Sequence, residues 1–167
     1  LLLALSAVAL WRLLAGDMEV SAVGALMSAV GLDGGLSPQQ ELAVRAVRLP
    51  RLLSSMGAGA CLAISGVVLQ GILANPLAEP YTLGIASGAA LGASVAICLG
   101  SSFVSTAAFA GAVVALLLSL LLAWRSGGLS PLHMVLSGIV VGAVLSAGVT
   151  LMKAIAGERV SSIVLWL

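Results

Sequence analysis

The sequence predicts an all-α, polytopic helical membrane protein, and its composition carries that prediction. Hydrophobic residues make up 61% of the 167 residues and charged residues 8%, against about 45–50% and about 25% in ordinary globular chains. Seven basic and six acidic side chains cannot cover the surface of a soluble protein of this size. Disorder is excluded as well, because it requires low hydrophobicity and high charge. The net charge of +1 gives no indication of a nucleic-acid partner.

Runs without charged residues predict where the spans lie. Such runs cover residues 52–78, 80–124 and 126–152, and a spanning helix needs about 20 apolar residues. The middle run is long enough for two spans, and each outer run for one. The apolar N-terminal stretch is interpreted as the remainder of a further span. We therefore expect five spans, at about residues 1–15, 52–73, 82–100, 103–124 and 132–152.

The connection between the first two spans, about residues 16–51, is expected to contain a short surface helix. Ser37 as the N-cap and Gln40 as its partner in a capping box predict where this helix begins. Leu49 precedes a proline, which disfavours helical geometry, so Leu49 is expected to be extended. Pro50 would then open the second span, because proline is tolerated in the first helical turn.

A second break lies at Asn75-Pro76-Leu77-Ala78-Glu79-Pro80, where two prolines end one span and delay the next. Asn75 and Glu79 supply polar groups there, and Gln70 lies about one helical turn inside the membrane. Irregular backbone at membrane depth is tolerated where it lines a cavity or is buried in protein. The alternative is an ordinary interfacial loop.

Small residues recur at four-residue spacing in two spans. Gly84, Gly88 and Gly92 form two overlapping GxxxG units, which let helix backbones approach closely in a bilayer. Gly138, Gly142 and Ser146 repeat the pattern. For these two glycines both helix packing and a smooth, pore-lining face remain open.

No constellation of residues indicates catalysis. The chain has one histidine, His133, and one lysine, Lys153, so neither a histidine metal cluster nor a GxxxxGK[ST] phosphate loop is present. We expect no catalytic residue, no metal site, no cofactor and no ATPase motif. If ATP drives transport, another chain hydrolyses it.

Four short motifs occur in one order over residues 48–92. They are Arg48-Leu49-Pro50-Arg51, then SGxxxQ ending at Gln70, then the Asn75–Pro80 break, then LGxxxGAA from Leu83. Together they resemble the permease family of bacterial ABC importers for iron–siderophore, haem and cobalamin. The resemblance implies an inner (plasma) membrane permease of roughly ten helices, with residues 1–167 as its N-terminal half. It also implies a second permease copy in a homodimer, two cytoplasmic ATPase subunits, a periplasmic substrate-binding protein and contact with membrane lipid.

The resemblance also implies roles for particular residues. In the family, arginines of the RLPR motif dock acidic residues of the binding protein, and these match Arg48 and Arg51. In the family, the fifth span lines the translocation pathway. The pathway candidates are Gln70, Asn75, Glu79, Ser137, Gly138 and Gly142.

The distribution of basic residues conflicts with the topology that the resemblance implies. With five spans, one side would carry Arg12, Arg45, Arg48, Arg51, Lys153 and Arg159, and the other only Arg125. The positive-inside rule would place the first side in the cytoplasm, whereas the family places it outside. We follow the family, because the rule applies to all the short loops of a protein. The alternative function is a small stand-alone helical membrane scaffold or channel, and a membrane-embedded enzyme is a third option.

Overall fold

The computed structural model describes residues 2–14 and 18–167. All regular elements within these residues are helices, and none is a β-strand. The all-α prediction is confirmed. Residues 1–63 and 64–167 form two compact units. In chain order the α-helices are α1 (Leu2–Leu14), α2 (Ala22–Val30), α3 (Pro38–Leu42), α4 (Leu49–Ile72), α5 (Ile85–Cys98), α6 (Val104–Arg125), α7 (Pro131–Ile155) and α8 (Val160–Trp166). A π-helical segment covers Ala43–Arg48, and 3₁₀ turns cover Pro80–Leu83 and Gly157–Arg159.

A helix lies at each of the five predicted spans. Within the described residues, three continuous helical stretches are long and apolar enough to cross a membrane, namely Pro38–Ile72, Val104–Arg125 and Pro131–Ile155. Helix α5 is a shorter apolar helix of 14 residues, and at 1.5 Å per residue it extends only about 21 Å. The 3₁₀ turn before it lengthens this part of the chain. The two ends of the predicted span 1–15 lie outside the described residues.

The first connection contains a helix, α2, that the sequence analysis missed. Ser21 begins it, because the Ser21 hydroxyl accepts a hydrogen bond of 3.1 Å from the Gly24 backbone N–H. Gly31 ends it in the left-handed conformation, at φ 89°. A serine N-cap and a glycine just after the last turn are the expected end signals, but nine residues are too few for a clear apolar period.

The expected break before Pro50 is wrong. The capping box of Ser37 and Gln40 is present and begins α3, but the chain then stays helical into α4. Leu49 has helical angles (φ −65°, ψ −50°) and donates its backbone N–H to the Val44 carbonyl, five residues back. The π-helical turn before Pro50 widens the backbone. This turn accommodates the proline ring, which would otherwise clash with a carbonyl of the preceding turn.

In the second unit, α5, α6 and α7 pack against one another. A buried apolar cluster joins the end of α4 and the break that follows it to α6 and α7, and consists of Leu73, Ala78, Leu83, Ala123 and Met134. The chain after α4 is therefore held against these helices by its own apolar side chains. Helix α8, also missed by the sequence analysis, packs against α5 and α7.

Candidate functional site

Arg48, a predicted docking residue, binds the C-terminal end of α1. Its guanidinium donates hydrogen bonds to the carbonyl oxygens of Leu13 (2.9 Å), Leu14 (3.0 Å) and Met18 (2.6 Å). The last carbonyls of a helix have no partner within the helix, and arginine has five donors in a rigid fork. Arg48 therefore ties α1 to the start of α4.

Arg45 acts in the same way on α2. Its Nε donates to the Ser28 carbonyl at 2.9 Å and to the Ser28 hydroxyl at 3.2 Å, and it pairs with Glu41 at 3.1 Å. Arg51 differs from both. Its side chain is exposed and has no hydrogen bond or ion pair to any residue in the described ranges. Arg51 is thus the basic group of this cluster whose donors are available to a partner.

The break after α4 is a well-ordered turn. The Asn75 backbone N–H donates to the Gln70 carbonyl at 3.1 Å, and Ala74 is left-handed at φ 46°, the pattern of a Schellman helix end. The Asn75 side-chain oxygen accepts a 2.9 Å bond from the Leu77 N–H. Gln70, Asn75 and Glu79 are all exposed, whereas Ala78 is 3% exposed. The turn therefore presents its polar groups outward and buries Ala78, whereas Leu77 is 85% exposed.

Gly138 and Gly142 of α7 lie against the 3₁₀ turn that precedes α5. A Cβ added at Gly138 would overlap the Thr82 carbonyl oxygen and lie 2.7 Å from the Leu83 Cα. At Gly142 the added Cβ would lie 3.5 Å from the Gly84 Cα, an ordinary contact. Ser137 is 4% exposed. Within the second unit, Ser137 and Gly138 are thus buried, Gly138 against the 3₁₀ turn, and Gly142 is partly exposed.

Gly84 must be glycine for two reasons. Its φ is +71°, and a Cβ there would lie 3.1 Å from the Gly142 backbone nitrogen. Gly88 and Gly92 face α6, where an added Cβ would overlap the carbonyl oxygens of Gly111 and Ala107 respectively. Direct contact between helix backbones is what small residues permit in a bilayer. These contacts support the assignment of the three glycines to helix packing.

One polar feature of the second unit was not found from the sequence. An open cleft of about 420 Å³ lies between α5, α7 and α8. Its polar lining comes from Ser87, Ser146, Thr150 and Lys153. The two serines are 59 positions apart, so only the folded chain brings them together.

Apolar helices with glycine-to-glycine contacts between their backbones define a multi-pass helical membrane protein. The chain belongs to the FecCD transport family, whose family model matches residues 2–167. It is therefore part of a permease subunit, a multi-pass protein of the bacterial inner (plasma) membrane.

Individual relatives agree with this assignment. The molybdate import system permease protein MolB of Haemophilus influenzae is 37% identical over 157 residues, which are 90% of this chain and 46% of MolB. The Fe(3+)-citrate import system permease protein YfmE of Bacillus subtilis is 34% identical over 156 residues, 91% of this chain and 45% of YfmE. A solved metal-chelate type ABC transporter in an inward-facing conformation is 34% identical, with a TM-score of 0.82, over 99% of this chain and 50% of its own. The chain spans about half the length of the relatives that it matches.

Proposed function

We propose that this chain is part of the permease subunit of a binding-protein-dependent ABC importer that moves an iron–siderophore across the inner membrane. Haem and cobalamin are the other substrates that the motifs imply. The carrying observation is the family match over residues 2–167. One relative is named for the import of Fe(3+)-citrate, a chelated iron, and this supports an iron chelate as the first choice of substrate.

The proposed assembly contains two copies of the permease, two cytoplasmic ATPase subunits and a periplasmic binding protein, all within or beside membrane lipid. ATP hydrolysis is assigned to the separate ATPase subunits, and residues 1–167 contain no GxxxxGK[ST] loop. The permease alternates its opening between the two membrane faces. Substrate selection belongs largely to the binding protein, so the permease need not bind the substrate tightly.

Docking of the binding protein is proposed at Arg48 and Arg51, with a different part for each. Arg51 is exposed and its guanidinium is available to carboxylates of the binding protein. Arg48 donates to two carbonyl oxygens at the end of α1 and to the Met18 carbonyl oxygen. Arg48 therefore holds the surface in place, while Arg51 makes the charged contact.

The pathway is proposed to pass the break after α4 and one face of α7. The exposed polar groups of Gln70, Asn75 and Glu79 support the first part. For α7, the partly exposed Gly142 is the stronger candidate for direct lining. Gly138 would shape the pathway by holding the 3₁₀ turn against α7, and its neighbour Ser137 is buried at 4% exposure.

Charge reversal tests the docking proposal. Arg51→Glu in the full-length permease, assembled with its ATPase, should lower the affinity for the binding protein about tenfold or more, because like charges replace a complementary pair. Its thermal stability should stay near that of the wild type. Arg48→Glu should lower both affinity and stability, because the α1 carbonyls lose their donors. Arg125 is exposed at the end of α6. Arg125→Glu is therefore the matched control and should leave the affinity for the binding protein unchanged.

An affinity for the binding protein that survives Arg51→Glu would contradict the docking role. The substrate is tested separately, by uptake of radiolabelled ferric chelates, haem, cobalamin and molybdate in a strain that lacks the complete gene. Molybdate is included because a permease of a molybdate import system is among the similar proteins. Restored uptake of molybdate alone would overturn the iron proposal.

A further inference from the structure

The cleft between α5, α7 and α8 has the chemistry of an anion site. Ser146, Thr150 and Lys153 lie four and three residues apart along α7 and line the cleft together. This spacing places them on one face of the helix. Ser87 of α5 adds a fourth polar side chain, and Tyr81 and Trp166 add aromatic side chains. Polar side chains on membrane helices are costly unless they face a cavity or a partner.

The hydroxyl groups retain capacity for a ligand. The Ser87 and Ser146 hydroxyl oxygens are 3.1 Å apart and share one hydrogen bond. Because each serine hydroxyl has one proton, one of the two protons is used between them and the other is available. Thr150 donates its proton to the Ser146 carbonyl at 3.2 Å. The cleft thus offers as donors one hydroxyl proton of the serine pair and the phenolic hydroxyl of Tyr81, beside several acceptor lone pairs.

The charge of Lys153 indicates that the ligand of the cleft is an anion. Its ammonium group has no ion pair with any carboxylate in the described ranges, and no aspartate or glutamate lines the cleft. A strongly hydrated cation with three donors, placed near a free hydroxyl, suits an anionic oxygen group. A cationic ligand would meet only repulsion from Lys153.

We propose that this cleft binds the anionic oxygen groups of the transported chelate, its carboxylates above all, as the chelate passes α7. This inference rests on the proposed transport function. An anionic lipid headgroup carries the same chemistry in its phosphate, so the experiment below separates the two sources.

The test measures how fast a cysteine in the cleft reacts with charged reagents. Thr150→Cys is introduced into a cysteine-free full-length permease, in complex with its ATPase, in phosphatidylcholine nanodiscs. Two methanethiosulfonate reagents are compared, one carrying a sulfonate and one a trimethylammonium group. Lys153→Gln should lower the ratio of the sulfonate rate to the ammonium rate about tenfold, because it removes an opposite charge close to the reacting thiol. Lys153→Arg should restore the ratio, and Arg125→Gln, which does not line the cleft, should leave it unchanged.

Ferric citrate is then added as the anionic chelate. It should slow the sulfonate reaction several-fold with Lys153 present and have no effect in Lys153→Gln. Slowing by phosphatidylglycerol in the nanodisc but not by ferric citrate would overturn the proposal in favour of a lipid headgroup. A rate ratio unchanged by Lys153→Gln, or a Thr150→Cys permease that reacts with neither reagent, would also overturn it. Uptake by the wild-type transporter is measured in parallel, so a failure of transport is distinguished from a failure of the cleft.

Discussion

The contact between Gly138 and the 3₁₀ turn gives a prediction that separates helix packing from pathway lining. Gly138 and Gly142 lie one helical turn apart on α7, and both were candidates for the pathway. Their surroundings differ. An added Cβ at Gly138 would overlap the Thr82 carbonyl oxygen and meet the Leu83 Cα at 2.7 Å. At Gly142 the nearest atoms would be the Gly84 Cα at 3.5 Å and the Ser87 hydroxyl at 3.8 Å.

The expected magnitudes follow from these distances. Overpacking a tight site costs about 1–3 kcal/mol. The upper end applies at Gly138, because its neighbours are backbone atoms that cannot rotate away. Replacing glycine by alanine inside a helix raises the free energy of unfolding by about 1 kcal/mol, because alanine has the higher helix propensity. Gly138→Ala should therefore destabilise the permease by about 2 kcal/mol, whereas Gly142→Ala should be neutral or stabilising by up to about 1 kcal/mol.

Thermal unfolding of the full-length permease in detergent, followed by circular dichroism, measures both variants, and uptake in cells is measured beside it. Gly138→Ala should unfold several degrees below the wild type, and its loss of uptake should follow its loss of folded protein. Equal stability of Gly138→Ala and wild type would refute the packing argument. A stable Gly138→Ala permease with lowered uptake would instead make Gly138 a direct lining residue.

Two further substitutions test local features of the second unit. Ala74→Gly should raise the free energy of unfolding by about 1 kcal/mol, because Ala74 adopts a left-handed φ of 46° that costs a residue with a Cβ about that amount; a lower melting temperature would contradict this. Ser119→Ala should lower the free energy of unfolding by about 1 kcal/mol, because the Ser119 hydroxyl, 1% exposed, donates a 2.9 Å bond to the Leu83 carbonyl. Ser126→Ala removes only an exposed bond within its own helix and should have little effect; equal losses in both serine variants would argue against the buried bond.

The helices at the predicted spans were predictable because their signal is local and repeated. Helix α6 runs Val104–Arg125, one residue from the predicted 103–124, since a charge-free apolar run marks both ends. The helical path through Pro50 was not predictable. The π-helical turn before Pro50 contains Arg45 and Arg48, whose guanidinium groups bind carbonyls 17 and 35 positions away in the sequence. The rule that the residue before proline avoids helical geometry is purely local, so it does not account for these long-range contacts.

The candidate site was predictable in kind but not in arrangement. The spacing of Gly138 and Gly142 indicated a small-residue face and left both packing and lining open, because the partner of that face is not encoded nearby. The partner is the turn at Thr82–Gly84, which the fold brings to α7. The position of Lys153 beside a polar cleft was not predictable, since the hydroxyl groups that share this cleft come partly from another helix.

The arginine contacts also bear on the conflict between the charge rule and the family topology. Arg48 binds the end of α1, Arg45 the end of α2, and Arg159 the end of α5 through the Ile97 and Cys98 carbonyls. A helix C-terminus carries about half a negative charge, so each of these cations is partly offset by the helix end it binds. The positive-inside rule counts them as free loop charges. Three of the six basic residues on that side are therefore engaged by helix ends, and the sequence overstates the charge that would draw this side to the cytoplasm.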